Sequence, residues 1–169
     1  CTMTPLPIAF PDDPNTYNLA SSKEQQLQWM IGSSLLAAPL LHNKYSKSRL
    51  MKVYLPAGTW IDIETGITHT GQATLTDYDM PLAKTQVFVG GTAILLLRNP
   101  QDNQRYVEVY PITKEAQTTT FYLEGGEDTL TIQNKLMGAG INKATVRDET
   151  TGKMLPHRLD QKRKAIIFN

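Results

Sequence analysis

Acidic residues come in closely spaced pairs, and these are the first candidates for chemistry in this chain. The pairs are Asp12 with Asp13, Asp62 with Glu64, and Asp77 with Asp79. Neighbouring carboxyl groups can shift one another's pKa, which suits acid–base work. On a strand, a spacing of two also places both side chains on one face. We expect solvated strand faces for the two later pairs, and a turn or helix cap at Asp12 and Asp13, which stand between two prolines.

Metal and nucleophile patterns are weak throughout the sequence. The histidines, His42, His69 and His157, are far apart and lack zinc-ligand spacing. The acidic residues around Gly125 and Gly126 are too few for a calcium loop. Cys1 is the single cysteine, so no internal disulfide can form. No nucleophile elbow or phosphate-binding glycine loop occurs, and we expect no metal and no cofactor.

Aromatic side chains offer a third kind of chemistry, because a sugar ring can stack on an exposed aromatic face. Trp60 follows a glycine-containing turn, and it could serve as such a platform. The alternative is a core residue that buries a large apolar area, which is the interpretation we favour. For Trp29 we also favour the core.

Bulk properties exclude several classes of partner. The formal net charge is +1 at pH 7, which gives no electrostatic footprint for nucleic acid or an anionic membrane surface. The longest apolar runs have the length of strands, and none is long enough to span a membrane. The composition is that of a soluble globular protein, and the sequence leaves the compartment open.

The elements that must position these residues are mostly strands. Short strands end at turn residues, as at 56–58, 64–66 and 90–91, and this spacing is typical of a β-sandwich. One short helix is expected near the N-terminus. Ser21 or Ser22 would cap it with Glu24 at the capping-box spacing, apolar positions 27, 30 and 31 would face inward, and Gly32 would end it. The fold class is therefore mainly β, with antiparallel β-sandwich domains and one short N-terminal helix.

A polar loop at 99–104 suggests a domain boundary. Before it, strands are expected at 53–55, 60–63, 68–75, 86–89 and 93–97. After it, strands are expected at 106–110, 118–123, 129–133, 143–148 and 165–168. The predicted organisation is a connecting segment at 1–45, a proximal β-domain at 46–100 and a distal β-domain at 101–169.

Four stretches, in order, resemble the C-terminal region of family 31 glycoside hydrolases, the α-glucosidase and α-xylosidase type. They are Pro5-Leu6 with Phe10–Asp13 and Tyr17; Gln28–Gly32 with Leu35–Leu40; Val53–Asp62 with Thr65-Gly66; and Met80–Leu82 with Val87–Val89 and Ala93-Ile94. The resemblance covers residues 3–97 and thins beyond Asn99. Two departures are Thr4, where the family has arginine, and Gly90-Gly91-Thr92, where it has Arg-Gly-Gly.

The resemblance implies a retaining α-glycosidase as the parent protein. Such enzymes use two carboxyl groups about 5–5.5 Å apart, and in the family both precede this segment, so the chain alone should be inactive. Residues 1–45 would include the end of the catalytic barrel. If 5–10 is the last barrel strand, Asp12 and Asp13 follow its end and would contact sugar hydroxyls at the rim. The rest of the glycosidase would then be the main partner.

Two further hypotheses stay open. The chain could be an independent carbohydrate-binding β-sandwich that takes oligosaccharides. It could also be a purely structural module whose barrel-facing surface, at 2–10 and 35–41, is apolar. If that surface is exposed in isolation, the chain would associate with itself.

Overall fold

The computed structural model describes residues 3–17, 19–21, 24–25, 28–39, 50–79, 86–123, 128–136 and 141–169. They divide into two compact units, Cys1–Gly91 and Thr92–Asn169. This differs from the expected boundaries for two reasons. Strands from the expected first segment join the same sheet as strands of the proximal domain. Ile94–Arg98 pairs with Arg105–Val109, so that strand belongs to the second unit.

The first unit holds ten short strands and two helical turns among its described residues. The strands are β1 Met3–Pro5, β2 Ala20–Ser21, β3 Glu24–Gln25, β4 Trp29–Ile31, β5 Leu35–Ala38, β6 Leu50–Leu55, β7 Thr59–Asp62, β8 Thr68–Thr70, β9 Ala73–Asp79 and β10 Gln86–Val89. The helical turns are α1 Leu6–Ala9 and a 3₁₀ turn at Pro14–Thr16. A six-stranded sheet runs β1-β4-β5-β10-β7-β8, β6 pairs with β9, and β2 pairs with β3, all antiparallel.

The core of this unit draws side chains from both larger sheets, which therefore pack as a sandwich. The six-stranded sheet contributes Met30, Leu36, Trp60 and Phe88, and β6 contributes Val53, Tyr54 and Leu55. All of these residues are buried. The antiparallel sandwich expected from the turn spacing is confirmed.

A bulge in β9 decides which of its side chains face the core. The register with β6 shifts between Met51 and Val53, and Asp77 has a positive φ of 54°. Leu75 and Tyr78 are three residues apart, so a regular strand would place them on opposite faces. The bulge turns both toward the core, where they pack against the buried cluster.

The second unit is built from eight strands and a 3₁₀ turn at Ile141–Lys143 among the residues described there. The strands are β11 Ile94–Arg98, β12 Arg105–Val109, β13 Gln117–Tyr122, β14 Thr129–Asn134, β15 Val146–Arg147, β16 Met154–Leu155, β17 His157–Asp160 and β18 Ala165–Phe168. A sheet runs β11-β12-β18-β17, and β13-β14 and β15-β16 form separate pairs. The core of this unit includes Ile94, Val107, Val109 and Ile166. Phe121 and other side chains from β13 and β14 pack against it.

The expected position of the helix is wrong. Met30 and Ile31 lie on β4, which pairs with β5. Burial along β4 alternates, with Met30 more buried than either neighbour, and Gly32, with φ of 61°, begins the turn to β5. A short apolar run fits the period of a helix as well as that of a strand, and here the pairing with β5 makes it a strand. Positions 22, 23, 26, 27 and 40–49 lie outside the described residues, as do 80–85, 124–127 and 137–140.

The proposed barrel strand at 5–10 is also absent from the structure. Leu6–Ala9 forms a helical turn closed by the Phe10 amide, which donates to the Leu6 carbonyl at 2.8 Å. The preceding strand β1 pairs antiparallel with β4, whereas strands of a (β/α)₈ barrel run parallel. This segment therefore belongs to the sandwich.

Candidate functional site

Asp13 stabilises the 3₁₀ turn near the start of the chain through its hydrogen bonds. Its Oδ1 accepts hydrogen bonds from the backbone amide and the side-chain amide of Asn15, both at 3.1 Å. Its Oδ2 accepts from the Tyr54 hydroxyl at 2.5 Å. Burial, together with this bond to a carboxylate, raises the pKa of Tyr54. Asp13 therefore caps the 3₁₀ turn and ties it to β6.

Gln28 binds the backbone of the same strand. Its amide nitrogen donates to the Tyr54 carbonyl at 2.8 Å, and its amide oxygen accepts from the Tyr54 backbone N–H at 2.9 Å. Gln28 is buried, so both polar ends of its side chain are satisfied by one backbone unit. This gives a structural reason for glutamine at the start of the second motif.

Asp12, next to Asp13, is exposed to solvent. The loop beside it is held by the Tyr17 hydroxyl, which donates to the Pro11 carbonyl at 2.7 Å. Of the three predicted sugar-contact residues, Asp12 is the one whose carboxyl group faces solvent in the described structure.

Trp60 lies in the core of the first unit and is only 1% exposed. Its indole N–H donates to the Pro56 carbonyl at 2.8 Å. The ring lies against Gly90, where an added Cβ would come within 2.4 Å of Trp60 Cε3. No face of this ring is open to a sugar in the structure, which supports the core interpretation over the platform.

The adjacent glycine is constrained as well. Gly91 has φ of 56°, and an added Cβ would lie 2.0 Å from the Ser33 carbonyl oxygen. A side chain there would be strained both by backbone conformation and by lack of space. The turn that departs from the family pattern thus needs glycine at both positions.

Asp62 is the main buried carboxylate of the first unit, and the expected solvated strand face is wrong for it. It is fully buried and accepts from the Thr65 hydroxyl at 2.7 Å, the Glu64 amide at 2.8 Å, and the Tyr78 hydroxyl. Burial alone would raise the pKa of Asp62, but the donated hydrogen bonds outweigh it and hold the pKa below its usual value. Glu64 itself is exposed, and the group it directs at Asp62 is its backbone amide.

An aromatic cluster surrounds this carboxylate. The Tyr78 ring lies 5.6 Å from Phe88 and 6.2 Å from His69, centroid to centroid. Burial lowers the pKa of His69, with the Asp62 charge opposing that shift, and burial raises the pKa of Tyr78. These pKa shifts follow from packing inside the sandwich. The perturbed pKa values therefore reflect a structural role of the cluster.

A second buried network, missed in the sequence, lies in the second unit. Glu108 is 1% exposed. Its two oxygens accept from Arg163 Nη2 at 2.8 Å and Nη1 at 3.2 Å, and Oε2 also accepts from the Tyr110 hydroxyl at 2.7 Å. Arg163 Nε donates to Asp160 at 2.8 Å. Burial and the Glu108 carboxylate raise the pKa of Tyr110, whereas the acidic partners of Arg163 raise its pKa against the effect of burial.

These two carboxylates are occupied by donors of their own unit. Retaining glycoside hydrolysis needs one carboxylate free to attack and another free to exchange a proton, across an open site. Asp62 and Glu108 are buried and hydrogen-bonded, so each holds its unit together. Within the described ranges, no three His, Cys, Asp or Glu residues are placed to hold a metal ion. No described helix is long and apolar enough to cross a membrane.

The arrangement defines an accessory β-sandwich region whose charged groups stabilise the fold. The family model described as "Glycosyl hydrolase family 31 C-terminal domain" matches residues 1–95 of this chain. The chain therefore belongs to glycosyl hydrolase family 31 and represents its C-terminal accessory region.

Known relatives agree with this placement. The Alpha-glucosidase 2 of Bacillus thermoamyloliquefaciens is 32% identical over 133 residues, which cover 74% of this chain and 15% of that protein. The 1,6-alpha-glucosyltransferase of Sporosarcina globispora is 32% identical over 136 residues, 72% of this chain and 9% of that protein. The chain thus spans a small part of the length of these relatives.

Solved structures share the fold across almost the whole chain. The GH31 dextranase of Flavobacterium johnsoniae, in complex with glucose, has a TM-score of 0.70 and 18% identity, covering 98% of this chain and 27% of that one. The GH31 alpha-xylosidase of Xanthomonas citri has a TM-score of 0.60 and 20% identity, covering 79% and 15%. The likeness to the dextranase extends the shared fold into the second unit, where the sequence motifs thin out.

Proposed function

We propose that the whole protein hydrolyses α-O-glycosyl bonds with retention of configuration, and that this region supports its catalytic barrel without acting as a catalyst. The family match over residues 1–95 carries the proposal. Asp62 and Glu108 are occupied by hydrogen bonds within the fold, which supports a non-catalytic role for this region. Two relatives bear the names alpha-glucosidase and glucosyltransferase, which favours an α-glucosidic substrate.

Hydrolysis of 4-nitrophenyl α-glucoside tests whether the whole protein is active and this region alone is inactive. The 169-residue chain should release no nitrophenol above the buffer rate, whereas the whole protein should turn the substrate over. The anomer released first, followed by NMR, should have the α configuration. Turnover by the chain alone, or release of the β anomer by the whole protein, would contradict the proposal.

Asp12 is the residue of this region that we propose as a contact at the sugar-binding rim. Its exposure supports this, whereas Asp13 and Trp60 are occupied by the fold. In the whole protein, Asp12→Asn should raise KM and leave kcat nearly unchanged, as loss of uniform binding does. The exposed Asp79→Asn on β9 is the matched control, and equal KM values for Asp12→Asn and the parent protein would remove Asp12 from the rim.

The apolar surface expected at 2–10 and 35–41 is narrower than the sequence suggests. Leu36 and Ala38 are buried in the core of the first unit, and so is Leu6. Met3 and Ile8 remain exposed at 64% and 70%. We propose that these two side chains contribute to the surface that meets the rest of the glycosidase.

A second candidate function is an independent carbohydrate-binding β-sandwich. One observation favours it, the strongly exposed Tyr122 in the second unit. The two candidates are compatible, because Met3 and Ile8, which are proposed to meet the rest of the glycosidase, lie in the first unit and Tyr122 lies in the second.

A further inference from the structure

The N-terminal turn, residues 11–17, is joined to β6 through one hydroxyl group. The Tyr54 hydroxyl donates to Asp13 Oδ2 at 2.5 Å and accepts from Asn15 Nδ2 at 3.4 Å. These two bonds span 41 and 39 positions of the sequence. The remaining hydrogen bonds described for the turn stay within residues 6–17. Among the described residues, Tyr54 is therefore the polar link between this turn and β6.

Tyr54 is suited to hold the turn because it is itself fixed in place. Its side chain is buried in the core of the first unit, and Gln28 binds its backbone N–H and carbonyl groups. Burial raises the pKa of Tyr54, and the bond to the Asp13 carboxylate adds to this shift, so the hydroxyl keeps its proton and remains a donor near neutral pH. A side chain that is locked by packing and by hydrogen bonds can position a neighbouring group accurately.

Asp12 is connected to this link by a single peptide unit. Asp12 is exposed, whereas the carboxyl group of Asp13 next to it is hydrogen-bonded on both oxygens. The Asp13 backbone is also bound, since its amide donates to the Phe10 carbonyl and its carbonyl accepts from the Thr16 amide, both at 3.1 Å. A residue has only two soft backbone torsions, so the position of Asp12 depends closely on the hold on Asp13.

We propose that Tyr54 is a positioning residue for substrate binding by the whole protein, because its hydroxyl holds Asp13 and thereby fixes where Asp12 meets the substrate. The contact of Asp12 with the substrate rests on the proposed function, whereas the hold of Tyr54 on the turn does not. A hydrogen bond to a charged group contributes more than one between neutral groups. Its removal in Tyr54→Phe should therefore loosen the turn while the buried ring stays in place.

Tyr78 offers a matched control in the same unit. Its hydroxyl donates to the Asp62 carboxylate and accepts from Gln86 Nε2 at 3.2 Å, so Tyr78→Phe removes the same two kinds of hydrogen bond. The described hydrogen-bond and ring partners of Tyr78 lie outside residues 6–17. Both variants should lose stability, but only Tyr54→Phe should change the N-terminal turn.

Amide hydrogen exchange of the whole protein tests the hold of Tyr54 on the turn. Exchange of the peptide that covers the N-terminal turn should become roughly tenfold faster or more in Tyr54→Phe, as loss of a hydrogen bond to a charged group implies. The same peptide should exchange at the parent rate in Tyr78→Phe. An unchanged rate in Tyr54→Phe would overturn the proposal, as would an equal acceleration in both variants.

Kinetics of the whole protein with 4-nitrophenyl α-glucoside test the effect on substrate binding. Tyr54→Phe should raise KM roughly two- to tenfold and leave kcat nearly unchanged, as one weakened hydrogen bond in uniform binding does. Tyr78→Phe should keep the KM of the parent protein, and a KM raised equally in both variants would overturn the proposal.

A double variant tests whether Tyr54 acts through Asp12. Residues that act through one contact are not additive, so Tyr54→Phe combined with Asp12→Asn should have the KM of Asp12→Asn alone. A KM that rises by the product of the two single effects would overturn this route. A raised KM for Asp12→Asn beside an unchanged KM for Tyr54→Phe would overturn the role of Tyr54 and keep the rim contact of Asp12. An unchanged KM in both variants would overturn both roles, and glycoside turnover by the whole protein would still stand.

Discussion

Removal of Arg163 should destabilise the second unit by about 3 kcal/mol. Breaking a buried ion pair by deleting one partner costs roughly 3–5 kcal/mol, because the other charge stays buried without compensation. The Arg163 side chain is 25% exposed and Glu108 only 1%, so the lower end of that range applies. The Tyr110 hydroxyl still donates to Glu108 in the variant, which also limits the loss.

Calorimetry and amide hydrogen exchange are the suitable assays. Both tryptophans, Trp29 and Trp60, lie in the first unit, so tryptophan fluorescence cannot follow the second. A loss of about 3 kcal/mol should lower the Tm of a unit of this size by roughly 12–24 °C. Peptides from β12 and β18 should lose protection in Arg163→Ala, whereas those from the first unit should not.

Two further variants separate the ion pair from general damage. Arg147→Ala removes an exposed arginine of the same unit and should cost less than about 0.5 kcal/mol. Arg163→Met combined with Glu108→Gln removes both charges, while the glutamine oxygen still accepts from Tyr110. This double variant should recover more than half of the loss seen in Arg163→Ala.

The comparison with Arg147→Ala decides the role of the ion pair. A loss of stability in Arg163→Ala no larger than that in Arg147→Ala would refute the role given to the Arg163–Glu108 pair.

Two predictions concern the first unit, where tryptophan fluorescence is the readout. Gly90→Ala should cost roughly 1–3 kcal/mol in urea unfolding, as overpacking of a core does, because the new methyl group meets the Trp60 ring; an unchanged midpoint would contradict this contact. Asp62 has a depressed pKa, so its stabilising effect is present above the ordinary carboxyl pKa and is lost as pH falls through the folded value. Asp62→Asn should therefore be less stable than the parent chain near neutrality and should lose less stability on acidification. An equal loss of stability on acidification in the two chains would contradict this role of Asp62.

Much of the strand pattern could be predicted because turn residues separate the strands. The predicted strand at 86–89 is β10 as observed, and that at 165–168 is β18. The alternation of small, β-branched and aromatic residues between turns is a local property, so it is visible in the sequence. The short strands at 154–155 and 157–160 were not predicted, because Pro156 and exposed polar residues obscure their alternation.

The buried polar groups could not be predicted, because their partners are distant in the chain or depend on irregular geometry. Glu108 and Arg163 are 55 positions apart, and no local signal links them. Asp62 becomes buried because Tyr78 closes over it, which requires the bulge in β9. A one-residue irregularity of this kind changes the face of every later side chain and has no distinct sequence signature.

The departure at Gly90-Gly91-Thr92 has a physical explanation. Gly90 makes room for the Trp60 ring, and Gly91 combines a positive φ with close contact to the Ser33 carbonyl. Gly90 stands where the pattern of the resemblance has arginine, and in this chain the Trp60 ring leaves no room for a side chain at that position. The packing of the first unit therefore requires glycine at both Gly90 and Gly91.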